Sequence, residues 1–301
     1  MKKKRMYGPY KVPFTHPGKV LFPDSGITKQ DLISYYDRIA ETMLPHMVGR
    51  PISMERYPDG IGEEGFYEKE VPDYFPEWIH RVRVDLKDGG HQDQVVCENT
   101  ATLVYLAEVA CITPHIWPSK KEELSLPDKL IFDLDPTDGD FEPVRRAAYL
   151  VREYLEDRDL FPFVMTTGSR GLHVVLPLRP EKPYADVRNF GTAIAKDLFR
   201  QHPDALTVKT KKEERKGRVF LDMLRNAYGQ TSVAPYAVRA KPGAPVATPL
   251  DWKELERRDI HSQTYTVKNI FRRLGQKEDP WKDIYRHRYS PSHAIAEWDR
   301  Q

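Results

Sequence analysis

Residues 129–136, Lys129-Leu130-Ile131-Phe132-Asp133-Leu134-Asp135-Pro136, set an apolar run against two carboxylates and a proline. The run predicts a strand over Lys129–Asp135. Side chains at i and i+2 of a strand share a face, so Asp133 and Asp135 present their carboxylates together. Two close negative charges repel unless a cation compensates. A divalent ion that prefers oxygen ligands, Mg²⁺ or Mn²⁺, is the natural partner. The same residues also read as a strand end with two solvated aspartates in a turn.

A third reading takes Asp133-Leu134-Asp135-Pro136-Thr137 as the Asp-x-Asp-x-Thr pattern of haloacid-dehalogenase-like phosphatases, with Asp133 as nucleophile and Asp135 as acid/base. Working downstream, 142–156 predicts an amphipathic helix, and 163–167 and 172–178 predict strands. Between them lies Gly168-Ser169-Arg170-Gly171, followed by His173. The glycines permit a tight turn with exposed backbone N–H groups. Ser169, Arg170 and His173 add side-chain donors, so the hairpin suits a polyphosphate. An ordinary Gly-rich hairpin with a structural histidine has the same signature.

Further on, 185–200 reads as a helix and 209–217 as a basic loop. The stretch from Lys209 to Arg218 carries six basic residues against two acidic ones. The strand at 218–223 then closes on Asp222. A lone aspartate there reads as a cap, but a third carboxylate beside Asp133 and Asp135 completes a site for two metals. Upstream, Thr28-Lys29-Gln30-Asp31 reads as a capping box opening a helix that ends near Gly49. Short strands follow at 52–57, 66–70, 79–84 and 94–97, then a helix at 100–110 and a short strand near His115. Two short helices are expected near 251–258 and 266–274.

The chain has 301 residues, 40% hydrophobic and 31% charged, with 25 prolines and a net charge of only +2. This predicts one large α/β body or two tightly fused lobes, with local rather than global charge deciding partners. The basic start, Lys2 to Arg5, is one such local feature. Two cysteines, Cys97 and Cys111, exclude a disulfide framework and a cysteine-rich zinc site. No signal peptide is visible, and no apolar run approaches the roughly 18 residues of a membrane span. A reducing, cytoplasmic setting is the expectation.

The ordered set Asp-x-Asp, Ser-x-Gly-x-His and apolar-Asp resembles the archaeo-eukaryotic primase superfamily. The wider pattern resembles the polymerase domain of bacterial DNA ligase D, which acts in non-homologous end joining. His16-Pro17-Gly18-Lys19-Val20-Leu21-Phe22-Pro23, Gly49-Arg50-Pro51, Phe66-Tyr67-Glu68-Lys69 and Ala234-Pro235-Tyr236-Ala237-Val238-Arg239 carry the match with the central motifs.

That resemblance implies an α+β fold, a primase-polymerase core with an RNA-recognition-like antiparallel sheet flanked by helices and a second αβ layer. It implies a single domain over 1–301: an irregular DNA-end-binding segment at 1–26, a catalytic body at 27–255 and a helical tail at 256–301. It assigns Asp133, Asp135 and Asp222 to two Mn²⁺ or Mg²⁺ ions. Ser169, Arg170, Gly171, His173, His115, Arg239 and Lys69 fall to the nucleotide. Phe66 and Tyr67 fall beside the template base, Lys212 and Arg215 in a loop holding the primer or opposing end. Lys19 and Lys29, with His16, fall at a 5′-phosphate. The family pattern there has Asn where this chain has His16, and Phe-Phe where it has Phe66-Tyr67.

The implied activity is addition of nucleotides from ribo- or deoxynucleoside triphosphates, with ribonucleotides preferred, to 3′ ends at gaps and double-strand breaks. A DNA ligase and a Ku-like protein are the implied partners. Two other classes compete. The phosphatase predicts release of phosphate from small monoesters without a template. A non-catalytic DNA-end-binding module would need only Lys19, Lys29, Lys212 and Arg215, and leaves the carboxylates unexplained.

Overall fold

A computed structural model describes residues 3–298. Along the chain, a hairpin of β1 (Lys3–Tyr7) and β2 (Tyr10–Phe14) and a ribbon of β3 (Val20–Phe22) and β4 (Ile27–Thr28) precede helix α1 (Lys29–Met47). Strands β5 (Pro51–Arg56), β6 (Phe66–Glu68), β7 (Arg81–Asp85) and β8 (His91–Val96) lead to α2 (Thr100–Glu108) and β9 (Cys111–Ile116). The central stretch runs β10 (Lys129–Asp135), α3 (Glu142–Glu156), β11 (Phe163–Thr166), β12 (Leu172–Pro177), α4 (Tyr184–Gln201), β13 (Leu206–Thr207), α5 (Lys212–Arg215) and β14 (Val219–Asp222). Strands β15 (Ser232–Val233) and β16 (Thr248–Leu250) follow, then short helices α6 (Trp252–Leu255), α7 (Ile270–Leu274) and α8 (Pro291–Trp298).

These elements form an α+β chain with two compact units. The first comprises the described residues through Trp117 with Thr231–Ala247 and Tyr265–Arg273. The second comprises Pro118–Gln230, Thr248–Thr264 and the described residues from Leu274. Residues 1–26 were expected to be irregular, but 3–14 pair as an antiparallel hairpin. Its charged residues and Pro13 hide the strand alternation. The expected loop at 209–217 contains the one-turn helix α5.

In the first unit the sheet runs β15-β9-β5-β8-β7, with β6 also on β5. Every β5 residue is buried. The capping box at α1 forms as read: Thr28 Oγ1 accepts from Asp31 N, and Asp31 Oδ2 accepts from Thr28 N at 2.8 Å. The buried stripe Leu32, Tyr36, Ile39 and Met43 lies along this helix. Tyr36 Oη donates to the Ile112 carbonyl at 2.6 Å, fixing α1 to β9.

The second unit's sheet runs β13-β14-β10-β12-β11-β16, antiparallel except for β13 with β14. Strand alternation puts Leu130, Phe132 and Leu134 on one face and Ile131, Asp133 and Asp135 on the other. Helix α4 covers the first face, where Gly191 approaches Leu130 so closely that a Cβ there would collide with it. The aspartates therefore lie on the face opposite α4. Among the described residues, no helix is long and apolar enough to cross a membrane.

Candidate active site

β10 is flanked by β12 and β14, and the registers align three polar residues. Asp133 sits opposite His173 on one side and Asp222 on the other. Directly opposed residues share a face, and Asp135 joins them two positions on. Carboxylate oxygens of Asp133, Asp135 and Asp222 lie within 4.8 Å of one another.

Asn226 sets the depth of β10. Its Oδ1 accepts from Ile131 N at 2.8 Å and its Nδ2 donates to Ile131 O at 2.7 Å. The side-chain amide thus continues the ladder where β14 ends, satisfying a buried peptide that would otherwise go unpaired.

The three carboxylates are electrostatically unequal. Burial opposes ionisation of Asp133, but His173, with Nε2 3.4 Å from Oδ1, and Arg225, with Nε 3.2 Å from Oδ2, hold its pKa below the usual carboxylate range. Burial, followed by the charges of Asp133 and Asp222, pushes Asp135 up to about 6, against Arg170 and Arg215. Burial also raises Asp222, opposed by the Leu224 N–H that donates to its Oδ1 at 2.7 Å. Three clustered oxygen donors with two raised pKa values have unbalanced negative charge, and a hard divalent cation fits them. Arg225 had no assigned role at the sequence level. Only the three-dimensional turn after Asp222 returns it to Asp133.

The Gly168–Gly171 turn packs against the same strand. A Cβ on Gly171 would run into the Leu134 carbonyl oxygen, so glycine is what lets the hairpin approach between the two aspartates of β10. Gly168 adopts φ +65°. The expectation of freely exposed turn amides needs correction. Ser169 N and Gly171 N both donate to Thr167 Oγ1, at 3.3 and 3.2 Å. Arg170 is exposed at the tip and Ser169 is half-buried. Lys212 and Arg215 belong to α5 rather than a loop, and Arg215 stacks over Phe220, the strand residue two before Asp222, with Cζ 4.3 Å from the ring centroid.

The remaining candidates belong to the first unit. His115 Nε2 lies 3.2 Å from Glu55 Oε2. Burial opposes ionisation of Glu55, while His115 and the charge of Arg239 hold its pKa down. Tyr67 meets His115 edge to face, with ring centroids 5.5 Å apart. Phe66 and Tyr67 remain 45% and 60% exposed on β6, unusual for large aromatic residues, while Lys69 just beyond them is also exposed.

The 5′-phosphate candidates separate. Lys19 is partly exposed, 2.5 Å from Asp59, and His16 is exposed with φ +48°. Lys29 instead turns inward. Its ammonium donates to Glu108 Oε1 and O and to Thr15 Oγ1 at 3.0–3.1 Å, with 8% of the side chain accessible. The Lys29 ammonium is thus held by the protein's own oxygens, whereas Lys19 and His16 face outward.

Residues 28–281 match the family model for the LigD primase-polymerase domain. The chain belongs to this family. Its relatives include the multifunctional non-homologous end joining protein LigD of Mycolicibacterium smegmatis, 33% identical over 249 residues, covering 81% of this chain and 32% of that protein. The bifunctional LigD of Bacillus subtilis is 29% identical over 278 residues, covering 92% of this chain and 44% of that protein. The chain thus spans less than half the length of these relatives. The polymerase domain of Mycobacterium tuberculosis Ligase D, solved in complex with DNA, superposes with a TM-score of 0.85 at 28% identity, covering 92% of this chain and 99% of that one. The LigD polymerase family is one of DNA-directed nucleotidyltransferases, and the expected enzyme class stands. The phosphatase reading of Asp133-x-Asp135 gives way to it. Asp133 already bonds His173 and Arg225 through its two oxygens, which suits a fixed ligand better than a nucleophile.

Proposed function

We propose that this chain is a template-directed nucleotidyltransferase of primase type that extends 3′ ends at DNA gaps and breaks, the whole chain acting as one primase-polymerase module. The observation carrying this reading is the convergence of Asp133, Asp135 and Asp222 beside the Gly168–Gly171 hairpin. The three carboxylates would hold two divalent ions, Mn²⁺ or Mg²⁺. When bound, such ions activate a 3′-hydroxyl and neutralise charge at the α-phosphate and departing pyrophosphate.

The chain's own residues do the rest. Arg170 and Ser169 bind the triphosphate, with Gly171 letting the turn approach β10. His173 orients Asp133 through Oδ1. The primer 3′-hydroxyl loses its proton to solvent as its oxygen bonds to the α-phosphorus, the α–β anhydride bond breaks, and pyrophosphate leaves with that electron pair. His115, Arg239 and Lys69 contribute to nucleotide binding, and exposed Phe66 and Tyr67 stack on a template base with little sequence preference. Lys19 and His16 receive a 5′-phosphate, while Lys29 supports that segment from within. Lys212 and Arg215 bind the primer or opposing end. Preference for ribonucleotides, and work alongside a DNA ligase and a Ku-like end-binding protein, complete the reading.

The test is extension of a 5′-phosphorylated gapped duplex, comparing ribo- with deoxynucleotides and Mn²⁺ with Mg²⁺. Asp133→Ala/Asp135→Ala should abolish extension while DNA binding remains. Persistent extension would refute the mechanism. Binding without extension by the wild type under every condition would favour the non-catalytic module.

A further inference from the structure

We infer that Ser262 and Gln263 are positioning residues for the phosphate-binding hairpin and that Gln263 aims the Arg170 backbone N–H at the nucleotide. This rests on the reading of 168–171 as the triphosphate site. A turn with two glycines has little conformational preference of its own, so its geometry depends on what holds it. Thr167 holds it from inside by accepting from Ser169 N and Gly171 N. Two residues more than ninety positions away hold it from outside. Gln263 Nε2 donates to Ser169 O at 2.7 Å, and Ser262 Oγ donates to Gly171 O at 3.0 Å.

The consequence follows from peptide geometry. In a trans peptide the C=O and the following N–H point to opposite sides. With Ser169 O turned to Gln263, the Arg170 N–H points away from Gln263. It meets no acceptor among the described residues, whereas both neighbouring amides are bonded to Thr167. The residue at the tip of the turn therefore carries both an unbonded backbone donor and a guanidinium, a combination suited to a phosphate oxygen.

The strap is itself anchored. Buried Arg145 on α3 donates to the carbonyls of Leu255, Arg257 and Ile260, fixing the segment that ends in Ser262 and Gln263. Arg145 Nε also bonds Glu142 Oε2 at 3.0 Å. A single guanidinium thus ties three carbonyls of an irregular stretch to a helix.

The test compares Gln263→Met, Ser262→Ala and Ser262→Thr with the wild type. Two measurements serve: steady-state extension, and the rise in melting temperature produced by ATP with Mn²⁺ in the absence of DNA. Gln263→Met, similar in size but without a donor, should raise KM for nucleotide about 5-fold while kcat and KM for DNA stay within about 2-fold. The ATP-induced rise should shrink in parallel. Ser262→Ala should behave likewise and Ser262→Thr should restore wild-type values. Unchanged nucleotide KM and ATP response in Gln263→Met would overturn the inference. So would an equal loss in every parameter with a lowered melting temperature, since that marks a purely structural contact. Failure of the wild type to extend primers would count against the polymerase reading, and the ATP response would still decide this one.

Discussion

Asp133 and Asp222 stand directly opposite each other on adjacent antiparallel strands, a pairing of like charges in a buried part of the sheet. Opposed like charges destabilise a sheet. The two are nevertheless different in character, because Asp133 has cationic partners in His173 and Arg225, while burial and Asp133 itself raise the pKa of Asp222.

That difference predicts opposite effects of the same substitution. In EDTA at neutral pH, Asp222→Asn should stabilise the protein by on the order of 1 kcal/mol, because the amide oxygen can keep the Leu224 N–H. Asp133→Asn should destabilise it by removing the partner of His173 and Arg225. Both should abolish extension. Thermal melts of the two variants in EDTA check the sign.

Asp135 predicts a pH dependence. Its folded pKa of about 6 lies above the ordinary carboxylate value. The folded state therefore binds its proton more tightly than the unfolded state. Its contribution to stability is fully present below the unfolded pKa of about 4 and is lost as pH rises through about 6. A cation must displace that proton, so apparent Mn²⁺ affinity should weaken as pH falls below about 6. Asp133, with a lowered pKa, contributes in the opposite direction, and its share is lost only as acid protonates it at lower pH. Melting curves with and without Mn²⁺ across pH 4–8 separate the two, and Asp135→Asn should remove the higher transition.

Gly171→Ala should cost about 1–3 kcal/mol, the usual range for forcing a group into a packed site. The obstacle is the Leu134 carbonyl, which a shift in hairpin or strand must accommodate. Extension should fall more than stability alone explains, because either shift disturbs the spacing of Asp133 and Asp135. Denaturant melts paired with activity at a temperature where the variant is folded provide the check.

Phe66→Ala and Tyr67→Ala should leave the melting temperature nearly unchanged, as both rings are substantially exposed. If a template base stacks there, each should weaken gapped-DNA binding by about 1–3 kcal/mol, independent of base identity. Equal affinity of wild type and both variants would remove the aromatic platform.

The two lysines grouped by family resemblance should diverge. Lys19→Ala should lower affinity for gapped DNA bearing a 5′-phosphate more than for the same DNA without it, at little cost in stability. Lys29→Ala leaves Glu108 buried without its cation and should destabilise the fold by about 3–5 kcal/mol. Binding assays with both DNA forms, together with melts, discriminate the roles.

Much of the site was legible because it is local in sequence. Lys129–Asp135 and Glu142–Glu156 read correctly from apolar periodicity, and the two-residue spacing of Asp133 and Asp135 puts them on one face. What could not be read is long-range. Nothing local to Ser262 or Gln263 indicates that they bond a turn near Ser169, and nothing in Thr167 indicates that its hydroxyl takes the turn's amides. The burial of Lys29 was hidden for a related reason. Its exposure depends on Glu108, which lies 79 residues away and meets it only after α1 and α2 pack.

The interleaved path of the chain has a consequence for synthesis. Strand β9 ends at Ile116, but its outer partner β15 begins at Ser232. A nascent chain emerging from the ribosome exposes the unpaired edge of β9 while the intervening residues are made, and such edges attract other strands. Release before residue 232 would leave the first sheet without β15 and the second without β16. Early stop codons in this gene should therefore yield sticky, aggregation-prone fragments rather than a smaller working enzyme.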